Sequence, residues 1–323
     1  MLNHFRGCLA GIQSGDALGM PVQGWLYLDI MDQYGVLDSM EKGILFKGDY
    51  TDETEMAIAV AESLGKEEGF NGESIAESLL AYCNPKRGYT VVALKAMESL
   101  RAGYSWLECA EASPVRDISY GSEAASRVAP LALLYHDQLE KLWSNTVLSS
   151  RITNVHPMAV EAAKWQAHAI AHVLYHITVS KDIDPIAFCD YMEAKIEHVD
   201  YLKKLKTIRK FLASPPPVSQ VISQLGNNSE ALHCVPTALY AFLLHPGDFE
   251  SAVVYAVNLG GNSDTLGALT GALSGTYCGF DAIPDRWVRN LKDNAHNAVQ
   301  VAGKLYKVWR NSHTFNTVNI SLK

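Results

Sequence analysis

The chain has 323 residues, 48% of them hydrophobic and 19% charged, with a formal net charge of −8. That apolar content supports a sizeable core and excludes a disordered chain. The acidic balance, with no Lys/Arg-rich run, excludes a partner gripped through a nucleic-acid backbone.

In chain order, the opening stretch MLNHFRGCLAGIQSGD does not read as a secretory signal, because Gln13, Ser14 and Asp16 interrupt its short apolar run. The reading is a soluble, cytoplasmic protein with no membrane partner. Glycines at 7, 11, 15 and 19 fall on one face of a helix, and a second set at 267, 271, 275 and 279 repeats the spacing. Each glycine inside a helix costs about 1 kcal/mol relative to alanine, so two such stripes read as close backbone packing, of each helix on a neighbour or of one on the other, the alternative being small-residue helices packed on ordinary side chains. The stretch from Trp25 to Tyr50 is the least helical and is expected to form loops.

Met56, Ala59, Val60 and Leu64 then recur at helical spacing, as do Val92, Leu94, Met97 and Leu100, with Gly103 as a C-cap. Pro157 opens a long helical pattern. The proline cluster at 213–220 lies between helical patterns of one kind, so it reads as a helix–helix joint within a single domain spanning 1–323. Helices are also expected from PTALYAFLLH, FESAVVYAVNLGG and TLGALTGALSG. The last is too short to span a bilayer, which takes roughly 20 apolar residues. Six cysteines without a CxxC pair read as reduced thiols. His168, His172 and His176 lie four apart without the Glu of a HExxH site and read as ordinary partly buried histidines. The expected fold class is all-α, a compact orthogonal helical bundle.

Two helix entrances carry acids. In YTDET, Thr51 is placed to cap a helix with Asp52 and Glu53 in its first turn; in GNSDT, Asn262, Asp264 and Thr265 occupy the equivalent places. Either cluster alone is accounted for as helix capping. Together, if they converge, they offer an all-oxygen shell of the kind that Mg²⁺ or Mn²⁺ takes.

These stretches carry a resemblance to the ADP-ribosylglycohydrolase family, which includes the enzyme that reactivates dinitrogenase reductase. GCLAGIQSGDALGMPVQ resembles its opening helix, GDYTDETEMAIAVAESL its first metal motif, YGSEAASRVAPLALLY its phosphate loop and helix, and AVNLGGNSDTLGALTGALSGTYCG its second metal motif. The resemblance implies an all-α fold and one or two Mg²⁺ or Mn²⁺ ions. It implies ligands at Thr51, Asp52, Glu53, Asn262, Asp264 and Thr265, with Asp52, Glu53 and Asp264 as catalytic acids. Contacts to an ADP-ribosyl group are implied for Gln23, Gly88, Tyr89, Gly121, Ser122, Glu123 and His156. The implied reaction is hydrolytic removal of ADP-ribose from an ADP-ribosylated protein or an ADP-ribose-containing small molecule. The alternative is a catalytically impaired member that binds ADP-ribose-like ligands or a protein partner.

The chain departs from the family pattern at several positions. Glu53 and Asn262 stand where Asp is usual, Gln23 where Glu is usual, Ser122–Glu123 where Asn-Gly is usual, and Asn154 where many members have His. Two carboxylates are thereby replaced by neutral amides, Glu53 is longer by a methylene, and Glu123 adds a charge to the phosphate loop.

Overall fold

The computed structural model describes residues 1–179 and 182–320. Among them are seventeen α-helices and no strand beyond one isolated bridge between Gly121 and Glu230. The all-α expectation holds.

At the centre lie the first helix, Leu2–Gly19, and the helix Ser263–Cys278. They run antiparallel, glycine stripe against glycine stripe. Gly7 faces Gly275, Gly11 faces Gly271, Gly15 faces Gly267, and Gly19 meets Ser263. A Cβ placed on Gly11 would stand 2.1 Å from the carbonyl oxygen of Gly271, and one on Gly271 would stand 2.1 Å from that of Gly11. No side chain fits there, so the entropic cost of the helical glycines is offset by backbone approach along the whole contact.

Helices Phe249–Asn258, Ala231–Leu244 and Pro157–Val179 pack on the Ser263 helix, while Asp52–Lys66 and His296–Ile320 pack on the first. The main core continues outward through Phe5, Trp165, Tyr201, Phe211 and Phe242; a second cluster forms around Phe249 and Trp287.

The structure corrects two local expectations. Within the stretch read as loops, Tyr27–Tyr34 is a two-turn helix, because Asp29 accepts from the Leu26 backbone N–H and Ile30 is buried beneath it. The helix expected from Pro236 begins at Ala231 and runs through the proline, which is fully buried by neighbouring helices; tertiary packing overrides its local breaking tendency. Gly103 follows the end of its helix with φ +93, as a C-cap glycine does. The tryptophans at 165 and 287 are core residues. All six cysteines are free thiols. Among the described residues no helix is long and apolar enough to cross a membrane.

Candidate active site

Antiparallel packing brings three chain segments to one end of the glycine contact: the end of the first helix and the starts of the Asp52 and Ser263 helices. Two backbone hydrogen bonds draw the end of the first helix and the start of the Ser263 helix together, from Gly24 N to Gly261 O (2.7 Å) and from Gly261 N to Trp25 O (2.8 Å), and the Ser263 hydroxyl donates to Gly19 O (2.9 Å). Gly24 and Gly261 both have positive φ, which permits this tight crossing.

Asp16, one turn before the end of the first helix, is fully buried and fastens the Asp52 helix. It accepts from Thr51 N (3.0 Å), Thr51 Oγ1 (2.8 Å), Thr54 N (3.0 Å) and Thr54 Oγ1 (2.5 Å). Thr51 in turn caps that helix, accepting from Glu53 N at 3.4 Å. Nothing in the spacing of the acids pointed to Asp16. The available signal was an acid on an otherwise apolar, glycine-striped helix, where a buried charge requires partners.

Asp52, Glu53 and Asp264 are all buried. The Thr265 hydroxyl donates to Glu53 Oε1 and receives Asn262 Nδ2 at 2.5 Å, while Thr265 N donates to Asp264 Oδ1 at 2.8 Å. The two acidic entrances therefore share one place, although 212 residues separate Glu53 from Thr265. Glu53 Oε2 is buried without a hydrogen-bond partner of good geometry; the Ser126 hydroxyl beside it donates to the Ser122 carbonyl at 3.2 Å.

The electrostatics are those of crowded acids. Burial, then the charges of Glu53 and Asp264, holds the Asp52 carboxyl well above the usual carboxylate range. Burial and the charge of Asp264 push Glu53 to about 8, and burial and Asp16 push Asp264 to about 7. Burial takes Asp16 to about 6 against the pull of its four donors. The nearby cations are engaged elsewhere: Arg87 pairs with Glu55 (3.2 Å) and Asp49 (3.7 Å), and Lys292 with Asp49 (2.9 Å). As the side chains stand, no three His, Cys, Asp or Glu residues among those described converge as a ready metal cage. Glu53 is drawn onto Thr265 instead.

A family model for ADP-ribosylglycohydrolase matches residues 1–314. The chain belongs to the ADP-ribosylglycohydrolase family. It is 32% identical to an uncharacterized protein of Archaeoglobus fulgidus, covering 95% of this chain and 97% of that one. It is 28% identical to human ADP-ribosylhydrolase ARH3, covering 96% and 95%. A solved structure described as an ADP-ribosylglycohydrolase-related protein complex superposes with a TM-score of 0.75 at 26% identity, over 95% of this chain and 98% of that chain.

Of the remaining residues that the family resemblance singles out, Gly88 and Glu123 lie near Asp52. Gly88 has φ +91, and a Cβ built there would lie 3.7 Å from Asp52 Oδ1, so the 84–90 loop passes directly beside that acid. Tyr89 is turned into the core, its hydroxyl buried without a partner. Gly121 bridges to Glu230, with Ala231 N donating to Tyr120 O at 3.0 Å. His156 stands edge-on to Tyr120, their rings 5.7 Å apart, and lines with it a hollow of about 130 Å³ completed by Met158, Glu230 and Leu232.

Ser122 and Glu123 are buried. Glu123 points inward, accepting from Thr90 Oγ1 (2.5 Å) and Asn154 Nδ2 (2.8 Å). Asn154 is itself set by Thr153 (2.5 Å), whose hydroxyl receives Arg127 at 2.7 Å. Gln23 is half-buried at the end of the 20–22 turn, and its side chain makes no hydrogen bond among the described residues.

Proposed function

We propose that the protein is a metal-dependent hydrolase that removes ADP-ribosyl groups from a protein side chain or a small acceptor. Family membership supports the hydrolase class. The single observation that carries the site assignment is the hydrogen bond from Thr265 to Glu53, which puts both acidic helix entrances at one point.

The donor set fits a hard cation. The three buried carboxyls of Asp52, Glu53 and Asp264, two threonine hydroxyls and the Asn262 amide all offer oxygens, and Glu53 Oε2 is buried without a hydrogen-bond partner. Thr51, Asp52, Glu53, Asn262, Asp264 and Thr265 would hold one or two Mg²⁺ or Mn²⁺ ions, which would supply positive charge to polarise the ribose hydroxyls.

The protein groups perform the rest. Asp16 fixes the Thr51–Thr54 turn and thereby aims Asp52 and Glu53. Cleavage at the anomeric carbon passes through an oxocarbenium-like transition state. Kept ionised by a bound cation despite their raised pKa values, the buried acids would favour that developing positive charge through their negative charge in a site of low dielectric. Glu53, once ionised, with one oxygen held by Thr265 and the other unpartnered, accepts the proton of the attacking water as the bond to the acceptor breaks, and that proton passes to the departing acceptor group. Gly88, Gly121, Ser122 and His156 flank the bound ADP-ribosyl group, and the hollow beside Tyr120 and His156 receives part of it.

The test is release of ADP-ribose from ADP-ribosyl-arginine and ADP-ribosyl-serine substrates, with and without Mg²⁺ or Mn²⁺. Metal-dependent release that falls at least 100-fold in Asp264→Asn is expected. Metal-independent release, or equal activity of that variant, refutes the assignment.

A further inference from the structure

The Glu123 carboxylate occupies the inside of the Gly121 turn. A Cβ built on Gly121 would stand 2.5 Å from its Oε2, and the residue is 3% exposed. Two neutral donors hold it there, the Thr90 hydroxyl and the Asn154 amide, and Arg127 supports the Asn154 side through Thr153. Arg127 does not pair with the Glu123 carboxylate: its guanidinium donates to the Glu123 carbonyl at 3.1 Å, to Thr153, and to the Ser149 carbonyl at 2.8 Å. No ion pair closes onto the carboxylate: Arg127 feels it only at a distance, and it lies close enough to Asp52 to push that acid upward further.

We infer that Glu123, clamped by Thr90 and Asn154, is a specificity-determining residue that weakens the hold of the Gly121 turn on an anionic group. This rests on the proposed reading of that turn as the seat of the diphosphate. A diphosphate brought to the turn meets a fixed like charge at short range where water is scarce, which penalises it far more than at an exposed surface. Free ADP-ribose, the product, is then bound weakly, and an ADP-ribosylated substrate has to be recognised through its sugar, base and acceptor rather than its phosphates. The two donors make the arrangement specific. A glutamate free to swing into solvent would impose little penalty, whereas this one is held by hydrogen bonds on both oxygens.

The experiment is calorimetric titration of the full-length protein with ADP-ribose and with adenosine, in Mg²⁺, for the wild type, Glu123→Gln and Thr90→Ala. Glutamine is nearly isosteric and can still accept from Thr90. Expected is at least tenfold tighter ADP-ribose binding by Glu123→Gln, with adenosine unchanged within twofold. Thr90→Ala removes one clamp but keeps the charge and the Asn154 contact, so its ADP-ribose affinity rises by less than that of Glu123→Gln. Unchanged or weaker ADP-ribose binding by Glu123→Gln, equal tightening of adenosine, or absence of binding by all three proteins overturns the inference. Hydrolysis is read separately on ADP-ribosylated substrates: a tighter-binding variant of a protein that releases no ADP-ribose would sink the hydrolase reading and leave the charge effect standing.

Discussion

Gly11 and Gly271 lie backbone against backbone, each occupying the space where the other's side chain would be. This contact sets the axial register of the two central helices, and the register brings Asp16 and Asp264 to the same end of the molecule. Gly11→Ala and Gly271→Ala are each expected to cost more than about 3 kcal/mol, because the added methyl meets a helix backbone rather than a flexible side chain. Leucine at either position should leave no soluble folded protein. Gly303 provides the control: nothing lies within 4 Å of a Cβ placed there, so Gly303→Ala should raise stability by roughly 0.5–1 kcal/mol. Urea unfolding followed by circular dichroism measures all of these, and normal midpoints for both central variants would refute the packing argument.

Asp16→Asn keeps the shape of the side chain but turns an NH₂ group toward a backbone N–H and a hydroxyl, those of Thr51 or those of Thr54 according to which oxygen it replaces. A loss of about 3 kcal/mol in stability is expected from the mismatched buried donors. Because Thr51, Asp52 and Glu53 lose their anchor, the Mg²⁺-induced rise in melting temperature should shrink as well. A variant that melts lower yet keeps the full Mg²⁺ response would confine Asp16 to a purely structural role.

His168 is 3% exposed, and neither of its ring nitrogens has a hydrogen-bond partner. Burial, with the charges of Lys195 and Lys164, lowers its pKa to about 4. The folded state thus favours the neutral ring, while the unfolded chain protonates near 6.5. Its contribution is fully present above pH 6.5 and is lost progressively as the pH falls toward 4. Across that window the loss is roughly 3 kcal/mol. His168→Leu should flatten the acid limb of a stability–pH curve measured by urea unfolding between pH 4 and 7. An unchanged slope would assign the acid sensitivity to other groups.

Asn262 donates to Thr265 and brings no charge to the entrance. Asn262→Asp adds a carboxylate to an oxygen shell and is expected to tighten Mg²⁺ binding about tenfold or more. Combined with Gln23→Glu and Glu53→Asp, it should raise turnover if the present shell has lost carboxylates by drift. A fall in turnover with tighter Mg²⁺ binding would indicate a shell tuned to a different substrate. Thermal shift against Mg²⁺ concentration, read beside ADP-ribose release, separates the two.

Much of this protein was legible without coordinates. Apolar spacing identified the helices around Met56, Val92 and Ala159, because a buried helical face imposes its period on the residues that form it. The two glycine stripes raised close helix packing against the alternative of small-residue helices packed on ordinary side chains, and the structure shows the former. Thr51, Asp52, Glu53, Asp264 and Thr265 stood out because capping chemistry and cation chemistry draw on the same oxygen-bearing residues. Only the tertiary structure decided which helix each stripe faces, that Asp16 holds the Thr51–Thr54 turn, that Glu53 rests on Thr265, and that Glu123 turns inward to Thr90 and Asn154. Those pairings join residues tens to hundreds of positions apart. Local periodicity reports which face of a segment is buried, but the partner across the contact is chosen by the packing of the whole chain.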